Sequence, residues 1–214
     1  VSGCDLSSDV CSSDLIGGPS LGGLHSDNVE SFMRPLLDPA NHSPRETPLH
    51  ALTFHQYAVC ENNTAQGLES IFPGTRRQIS SLQQVQAVRD KLRPGAELHL
   101  TESGIVCNGP KGCSGNHYSC YYKTADFQRI YWVASAAQWL YQYLLSAEAA
   151  DLATVAQSQI LGYPAGFDGL SGEWPCGSMV DWTANKLNHK YWVQVALLQS
   201  VARPFSFCTT TTSN

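Results

Sequence analysis

Hydrophobic and polar positions along the chain follow two patterns, one typical of strands and one of helices. Short apolar runs that end in polar residues or glycine predict four strands. We expect these strands near residues 15–19, 51–57, 97–103 and 154–161. Apolar residues that recur at spacings of three and four predict helices near 27–37, 80–92, 126–150 and 188–202. The predicted order is therefore β-α-β-α-β-α-β-α, with a long glycine-rich loop before the last helix.

Repeated βα units indicate parallel strands joined by right-handed crossovers. Four such units make half of an eight-stranded barrel, and a whole barrel takes about 250 residues. The chain has 214 residues. We therefore predict an α/β fold, either a small doubly wound domain or a (β/α)8 barrel that lacks its N-terminal half. Half a barrel would expose two sheet edges, and we expect it to expose an apolar interior as well.

The helical patterns also predict which faces are buried. In the helix at 126–150, the predicted buried stripe is Ile130, Val133, Ala137, Leu140 and Leu144. In the last helix, it is Tyr191, Val195, Leu198 and Ala202. The first helix should begin near Asp27, and Pro35 should kink or shorten it because proline lacks the amide hydrogen that a helix needs.

The first fifteen residues differ in composition from the rest. They hold no Lys or Arg but five Ser, three Asp and two Cys, without the positive start and apolar stretch of a signal peptide. Their last seven residues resemble the translation of a short sequencing adapter. We interpret residues 1–15 as an artefact, with a polar disordered tail as the alternative. We predict a partial barrel over 16–208 and a flexible tail over 209–214.

Charge and hydropathy exclude two classes of partner. Thirteen basic residues stand against eighteen acidic ones, a net charge of −5, which argues against a basic nucleic-acid-binding face. Without residues 1–15, which hold three acidic and no basic residues, the net charge is −2. No run of eighteen apolar residues occurs, so no membrane-spanning helix is expected. The oligomeric state stays open.

The chemistry is suggested first by a carboxylate. Glu102 ends a predicted strand, and regular alternation would put it in line with Leu98 and Leu100. Such a carboxylate is costly to bury without a partner, and active-site groups of barrels lie at the ends of strands. Glycoside hydrolysis uses two carboxylates. The alternative is a solvated glutamate at a strand end.

Polar residues end the strands on either side. His55 and Tyr57 are two positions apart and so share a face, from which the tyrosine hydroxyl would orient a neighbouring carboxylate. Gln157 and Gln159 lie in the last predicted strand and suit sugar hydroxyls. The alternatives are ordinary hydrogen bonds at the top of the barrel and solvated side chains at a sheet edge.

These segments resemble a known family. Residues 53–57 (TFHQY), 100–104 (LTESG) and 156–159 (AQSQ) resemble strands six, seven and eight of clan-A (β/α)8 glycoside hydrolases. Residues 16–19 resemble strand five. Residues 179–182 (MVDW) and 188–192 (NHKYW) are similar to the heparanase and β-glucuronidase-like branch. The resemblance covers nearly all of residues 16 to 207.

The resemblance implies a retaining β-glycosidase that acts on an oligo- or polysaccharide and needs no cofactor or metal. Glu102 matches the nucleophile, Tyr57 its hydrogen-bond donor and His55 a side chain that lines the sugar subsite. Gln157, Gln159 and Trp182 are the further substrate-binding candidates.

One feature departs from the family. Its acid/base glutamate follows an asparagine, and no Asn-Glu pair occurs after Leu15. The nearest candidates, Glu30 and Glu46, fall on a predicted helix and a loop. We therefore expect the chain to lack its acid/base and to be unable to complete catalysis by the usual route.

The cysteines favour an oxidising compartment. Outside residues 1–15 there are six, and an even number fits disulfides in a secreted or lumenal protein. Sequons at Asn41 and Asn62 agree with this prediction. A zinc site at Cys107, Cys113, His117 and Cys120 is the alternative, but its spacing matches no usual zinc motif. Six cysteines allow fifteen pairings, and the sequence leaves the pairing open.

Two other functions compete with the glycosidase. Residues 18–22 match the G-x-S-x-G elbow of serine esterases, with Ser20 as nucleophile, although an elbow should turn directly from a strand into a helix. A non-catalytic carbohydrate-binding protein is the other alternative, with Trp174 and Trp182 as stacking candidates.

Overall fold

The computed structural model describes residues 16–22, 29–42, 49–60, 65–107, 133–158, 179–181 and 185–201. Four strands form the main sheet: β1 Gly17–Gly22, β2 Ala51–Cys60, β3 Glu97–Cys107 and β4 Leu152–Val155. The helices are α1 Arg34–Leu37, α2 Ala65–Leu92, α3 Ser135–Ala149 and α4 His189–Val201. A small antiparallel pair, β5 Val180–Asp181 and β6 Lys186–Leu187, precedes α4.

The main sheet confirms the predicted fold class. Its order is β1-β2-β3-β4, and every neighbouring pair is parallel. Sequential parallel strands separated by helices are the arrangement of a (β/α)8 barrel. None of the helices in the described ranges is long and apolar enough to cross a membrane.

The hydrophobic core lies on the helix-covered face of the sheet. Leu52 and Phe54 of β2 alternate with polar residues and are completely buried, as are Leu98 and Leu100 of β3. They pack against α2 and α1, whose buried core residues include Leu82, Val85 and Leu37. Full burial of each such side chain stabilises the fold by about 1.5–3 kcal/mol relative to exposure.

The opposite face of the sheet is polar, which corrects the prediction of an apolar interior. Thr53, His55 and Tyr57 of β2 alternate with the core residues and are only partly buried. On β3, His99 is partly buried and hydrogen-bonds to Thr154 of β4. We call this surface the open face. Its hydrogen-bonding side chains prefer water or a polar ligand to an apolar filling.

One helix is longer than predicted, and another is shortened as predicted. The predicted helix at 80–92 begins at Ala65 and continues through Pro73. Ile71 and Thr75, on either side of that proline, are completely buried, and the Thr75 hydroxyl donates to the Ile71 carbonyl at 2.9 Å. Packing of these residues offsets the cost of proline inside a helix. Near Pro35 the prediction is confirmed, because a π-helical turn Val29–Met33 leads into only four residues of α1.

The predicted buried stripe of α3 is wrong where the structure describes it. Val133, Leu140 and Leu144 are exposed, and the buried face includes Trp139, Gln138 and Gln142 instead. Polar side chains on this face make hydrogen bonds that apolar periodicity does not reveal. The partners are Gln138 Nε2 with Gln142 Oε1 at 2.6 Å and Trp139 Nε1 with Gln194 Oε1 of α4 at 3.1 Å.

Smaller shifts occur near the chain's end. The last strand of the main sheet ends at Val155 rather than near residue 161 and begins two residues earlier than predicted. In α4, Leu197 is buried and Leu198 is exposed, so the buried face differs from the predicted stripe.

Candidate active site

A bulge in β3 brings Glu102 onto the open face. Phe54 pairs with Leu100, but the next residue of β2, His55, pairs with Glu102, so Thr101 is an extra residue in β3. An extra residue reverses the alternation of side chains that follow it. The prediction that Leu98, Leu100 and Glu102 share a face is therefore wrong. The leucines stay in the core, and Glu102 lies beside His55.

Two side chains of β2 converge on one oxygen of Glu102. The Tyr57 hydroxyl donates to Oε2 at 2.6 Å, and His55 Nδ1 lies 3.3 Å from the same oxygen. A short O–H···O⁻ bond of this kind is charge-assisted and stronger than a neutral one. Neither contact uses Oε1. The Glu102 side chain is still 44% exposed, so the carboxylate is oriented and also accessible.

Gly104 allows two polar side chains to approach the site. A Cβ atom at this position would lie 3.3 Å from Tyr57 Cε1 and 3.4 Å from Gln157 Nε2. Gln157 follows β4, where its neighbours hold the chain against β3: Ser158 N donates to the Ser103 carbonyl at 2.9 Å, and Ser103 Oγ donates to the Ala156 carbonyl at 2.7 Å. Glycine at 104 thus lets Tyr57 and Gln157 flank one strand.

The structure brings together Glu102, His55, Tyr57 and Gln157, four of the six predicted site residues. The other two, Gln159 and Trp182, lie outside the described residues, as does Trp174. The functional roles of all six stay predictions. Sequence reasoning missed the part of Gly104, although the glycine directly after Glu102-Ser103 was a signal that a side chain is excluded there.

A second group of hydrogen-bonded polar side chains lies at the amino end of the open face. His99 Nε2 lies 2.9 Å from Glu97 Oε2, and His99 Nδ1 lies 3.0 Å from Thr154 Oγ1. The Glu97 side chain is 63% exposed. The sequence did not reveal this group, because the contact between His99 and Thr154 depends on a register shift between Leu98 and His99.

Ser20 does not have the setting of an esterase nucleophile. It lies inside β1, at a bulge between Pro19 and Leu21, rather than at a turn into a helix. Its hydroxyl is 2.9 Å from Thr53 Oγ1, which also accepts the Ser20 amide hydrogen at 2.7 Å. The hydrogen-bonding partner is thus a threonine and not a histidine base, which argues against the esterase reading.

Two cavities within the described residues lie away from Glu102. A cavity of about 520 Å³ lies at the end of α3 and the start of β4, lined by Tyr143 and Asp151 among others, and a second of about 420 Å³ includes Arg89 and Glu97. Neither includes Glu102. In the ranges that the structure covers, no three His, Cys, Asp or Glu residues are grouped to hold a metal. Three residues of the zinc alternative, Cys113, His117 and Cys120, lie outside those ranges.

Comparison with known proteins supports the fold. No protein-family model and no curated protein matches the chain. Among solved structures, the GH51 arabinofuranosidase from Xanthomonas axonopodis pv. citri is similar over 90% of this chain and 36% of its own, with a TM-score of 0.53 and 16% identity. This chain thus spans about a third of that structure's length.

Two xylanase structures are more distant. The catalytic core of xylanase A and a thermostable xylanase mutant from Cellvibrio japonicus each cover 83% of this chain and 48% of their own, at 14% identity and a TM-score of 0.41, too low to support an argument. At the identity of the arabinofuranosidase, likeness shows the fold alone. The chain has the α/β fold of a partial (β/α)8 barrel, similar to part of a glycoside hydrolase.

Proposed function

We propose that this chain carries the nucleophile side of a retaining glycosidase site, with Glu102 as the nucleophile. The observation that carries the proposal is the convergence of Tyr57 and His55 on Glu102 Oε2, at 2.6 and 3.3 Å. This cluster lies toward the carboxyl end of a parallel sheet, where the catalytic groups of (β/α)8 enzymes lie. An oriented carboxylate that remains accessible is what attack on a sugar requires.

The proposed reaction has two displacements. Glu102 attacks the anomeric carbon, a carboxylate–sugar ester bond forms, and the glycosidic C–O bond breaks, with its electron pair leaving on the aglycone oxygen. Water then attacks the same carbon and releases Glu102. Because Tyr57 donates to Oε2, Oε1 is the attacking oxygen. The Gln157 amide beside Tyr57 is suited to bind a sugar hydroxyl.

A second carboxylate must protonate the leaving group, and in retaining enzymes it lies about 5–5.5 Å from the nucleophile. Glu97 is five residues from Glu102 on the same strand, which corresponds to about 16 Å of β structure. It is therefore too distant to serve. We infer that the acid/base belongs to another part of a complete barrel, in agreement with the lack of an Asn-Glu pair after Leu15.

The sequence motifs add a more specific form of the proposal. Residues 179–182 and 188–192 favour the heparanase and β-glucuronidase-like branch, and the cysteines favour a secreted or lumenal enzyme. The substrate is then an oligo- or polysaccharide. The identity of the sugar is an outcome of the experiment below.

The test uses 2,4-dinitrophenyl glycosides, including a β-glucoside, a β-glucuronide and an α-arabinofuranoside, because their leaving group departs without protonation. With azide present, the unmodified chain should form a glycosyl azide of the same anomeric configuration as the substrate, since two displacements retain configuration. Glu102→Gly with azide should form the opposite anomer, since only one displacement remains.

Two results would contradict the proposal. If Glu102→Gly releases dinitrophenolate as fast as the unmodified chain without azide, Glu102 is not the nucleophile. If the unmodified chain binds an oligosaccharide but cleaves none of the activated glycosides, the chain is a carbohydrate-binding protein instead.

A further inference from the structure

We propose that Cys60 and Cys107 form a disulfide bond that joins the carboxyl ends of β2 and β3. The parallel pairing of these strands runs from Ala51 with Glu97 to Cys60 with Cys107, which are the last residues of the two strands. The two cysteines therefore occupy directly paired positions. Sequence spacing alone could not reveal this, because all of α2 lies between them.

The backbone geometry suits a disulfide. Directly paired residues of a ladder lie on the same face of the sheet, and neighbouring strands are about 4.7–4.9 Å apart. This separation falls within the range of about 4.4–6.8 Å between Cα atoms that disulfides span.

The register narrows the pairing of the cysteines. Outside residues 1–15, six cysteines allow fifteen pairings. A bond between Cys60 and Cys107 leaves four cysteines with three pairings. They are Cys113, Cys120, Cys176 and Cys208.

The bond has a consequence for the candidate site. Cys60 follows Tyr57 by three residues, and Cys107 follows Glu102 by five, so the bond would tie together the two strands that carry the 2.6 Å hydrogen bond. Formation is a balanced exchange: the two thiols lose two protons and two electrons, and a small-molecule disulfide such as oxidised glutathione accepts them and becomes two thiols. The inference depends on strand register and not on Glu102 being a nucleophile.

Peptide mapping tests the proposal on the whole chain. The protein is purified without reductant, equilibrated with oxidised glutathione, blocked with N-ethylmaleimide and digested with trypsin. Cys60 then lies in the peptide 46–76 and Cys107 in 92–111, whereas Cys113 and Cys120 share the next peptide. We expect the first two peptides to be linked, and reduction to separate them.

Two results would overturn the proposal: Cys60 or Cys107 bonded to any other cysteine, or both modified by maleimide after the oxidation step. Variants provide the control. Cys60→Ser and Cys107→Ser should each leave one additional thiol per chain to react with maleimide, and the double variant should not. Cys208→Ser should leave the link between 46–76 and 92–111 intact. Mapping of the unmodified chain decides the question even if a variant does not fold.

Discussion

The two ends of the open face carry the same kinds of side chain in different arrangements. At the carboxyl end, His55 and Tyr57 of β2 both contact Oε2 of Glu102 on β3. At the amino end, His99 of β3 lies between Glu97 on its own strand and Thr154 on β4. In the first case the carboxylate is the shared partner, and in the second it is the imidazole.

This difference separates a reactive arrangement from a connecting one. A carboxylate held through one oxygen keeps the other for a substrate, which is the requirement for a nucleophile. An imidazole with both nitrogens in hydrogen bonds has no nitrogen left for a ligand. Its effect is to connect β3 with β4. Residue types alone therefore do not identify the site. It is identified by which group, the carboxylate or the imidazole, is the shared partner of the contacts.

The largest expected effect compares the two glutamates. Glu102→Gln should lower the rate of dinitrophenolate release by at least about 10⁴-fold, because loss of a nucleophile removes the covalent route. Glu97→Gln, five residues away on the same strand, should change it by less than about twofold, since surface substitutions away from a site have small effects. Steady-state kinetics on both variants would measure the contrast. Equal losses would break the distinction between the two ends.

Removal of the hydrogen bond to Glu102 should have the next largest effect. Tyr57→Phe should reduce the same rate about 10- to 100-fold, because a hydrogen bond to a charged group contributes about 1.5–3 kcal/mol. Tyr141→Phe is the matched control, since its hydroxyl bonds to Arg76 on the surface. A Tyr57→Phe rate equal to that of the control would show that the 2.6 Å contact does not assist Glu102.

Crowding beside Tyr57 should have a moderate effect. In Gly104→Ala the new methyl group must displace Tyr57 or Gln157 by a few tenths of an ångström. Because a displacement of about 1 Å can cost about 100-fold in rate, we expect this smaller one to lower kcat roughly tenfold. Gly17→Ala is a control of similar crowding, because its Cβ would lie 3.4 Å from that of Ala51, away from Glu102. Separate measurement of kcat and KM distinguishes misplacement from weaker binding. No change in either parameter would contradict the role of Gly104.

At the amino end the expected effect is on stability alone. Thr154→Val preserves the shape of the side chain but removes the hydroxyl that bonds to His99, so the free energy of unfolding should fall by about 0.5–1 kcal/mol. Urea denaturation measures this change, and the release rate should stay within about twofold of the unmodified chain. A large loss of rate would mean that this end also takes part in the chemistry.

Much of the fold could be predicted from the sequence because it depends on local patterns. Apolar runs marked all four strands of the main sheet, although β1, β2 and β3 each end three or four residues beyond the predicted limit. The buried face of α3 could not be predicted from these patterns. Its glutamines bond to each other, and Gln138 Nε2 also bonds to Thr75 Oγ1 of α2 at 3.4 Å. A pattern of apolar residues within one helix does not contain such partners on another helix.

The sequence predicted which residues form the candidate site but not how they are arranged. Position at a strand end and likeness to a family indicated Glu102, His55 and Tyr57. The face of Glu102 was assigned wrongly, because a single extra residue, Thr101, reverses the alternation. A bulge depends on register with the neighbouring strand, which no pattern within one strand contains. The contacts among Glu97, His99 and Thr154 were not foreseen for the same reason, since that between His99 and Thr154 also depends on the register between two strands.

The most direct test of Glu102 as the nucleophile is the site of covalent labelling by a 2,4-dinitrophenyl 2-deoxy-2-fluoro glycoside, which forms the sugar ester but releases it slowly. The tryptic peptide 92–111 contains both Glu97 and Glu102, and fragment masses distinguish them. We expect one sugar per chain, attached to Glu102. A label on Glu97 or on any other residue, or no label with any of the sugars that the chain binds, would contradict the assignment.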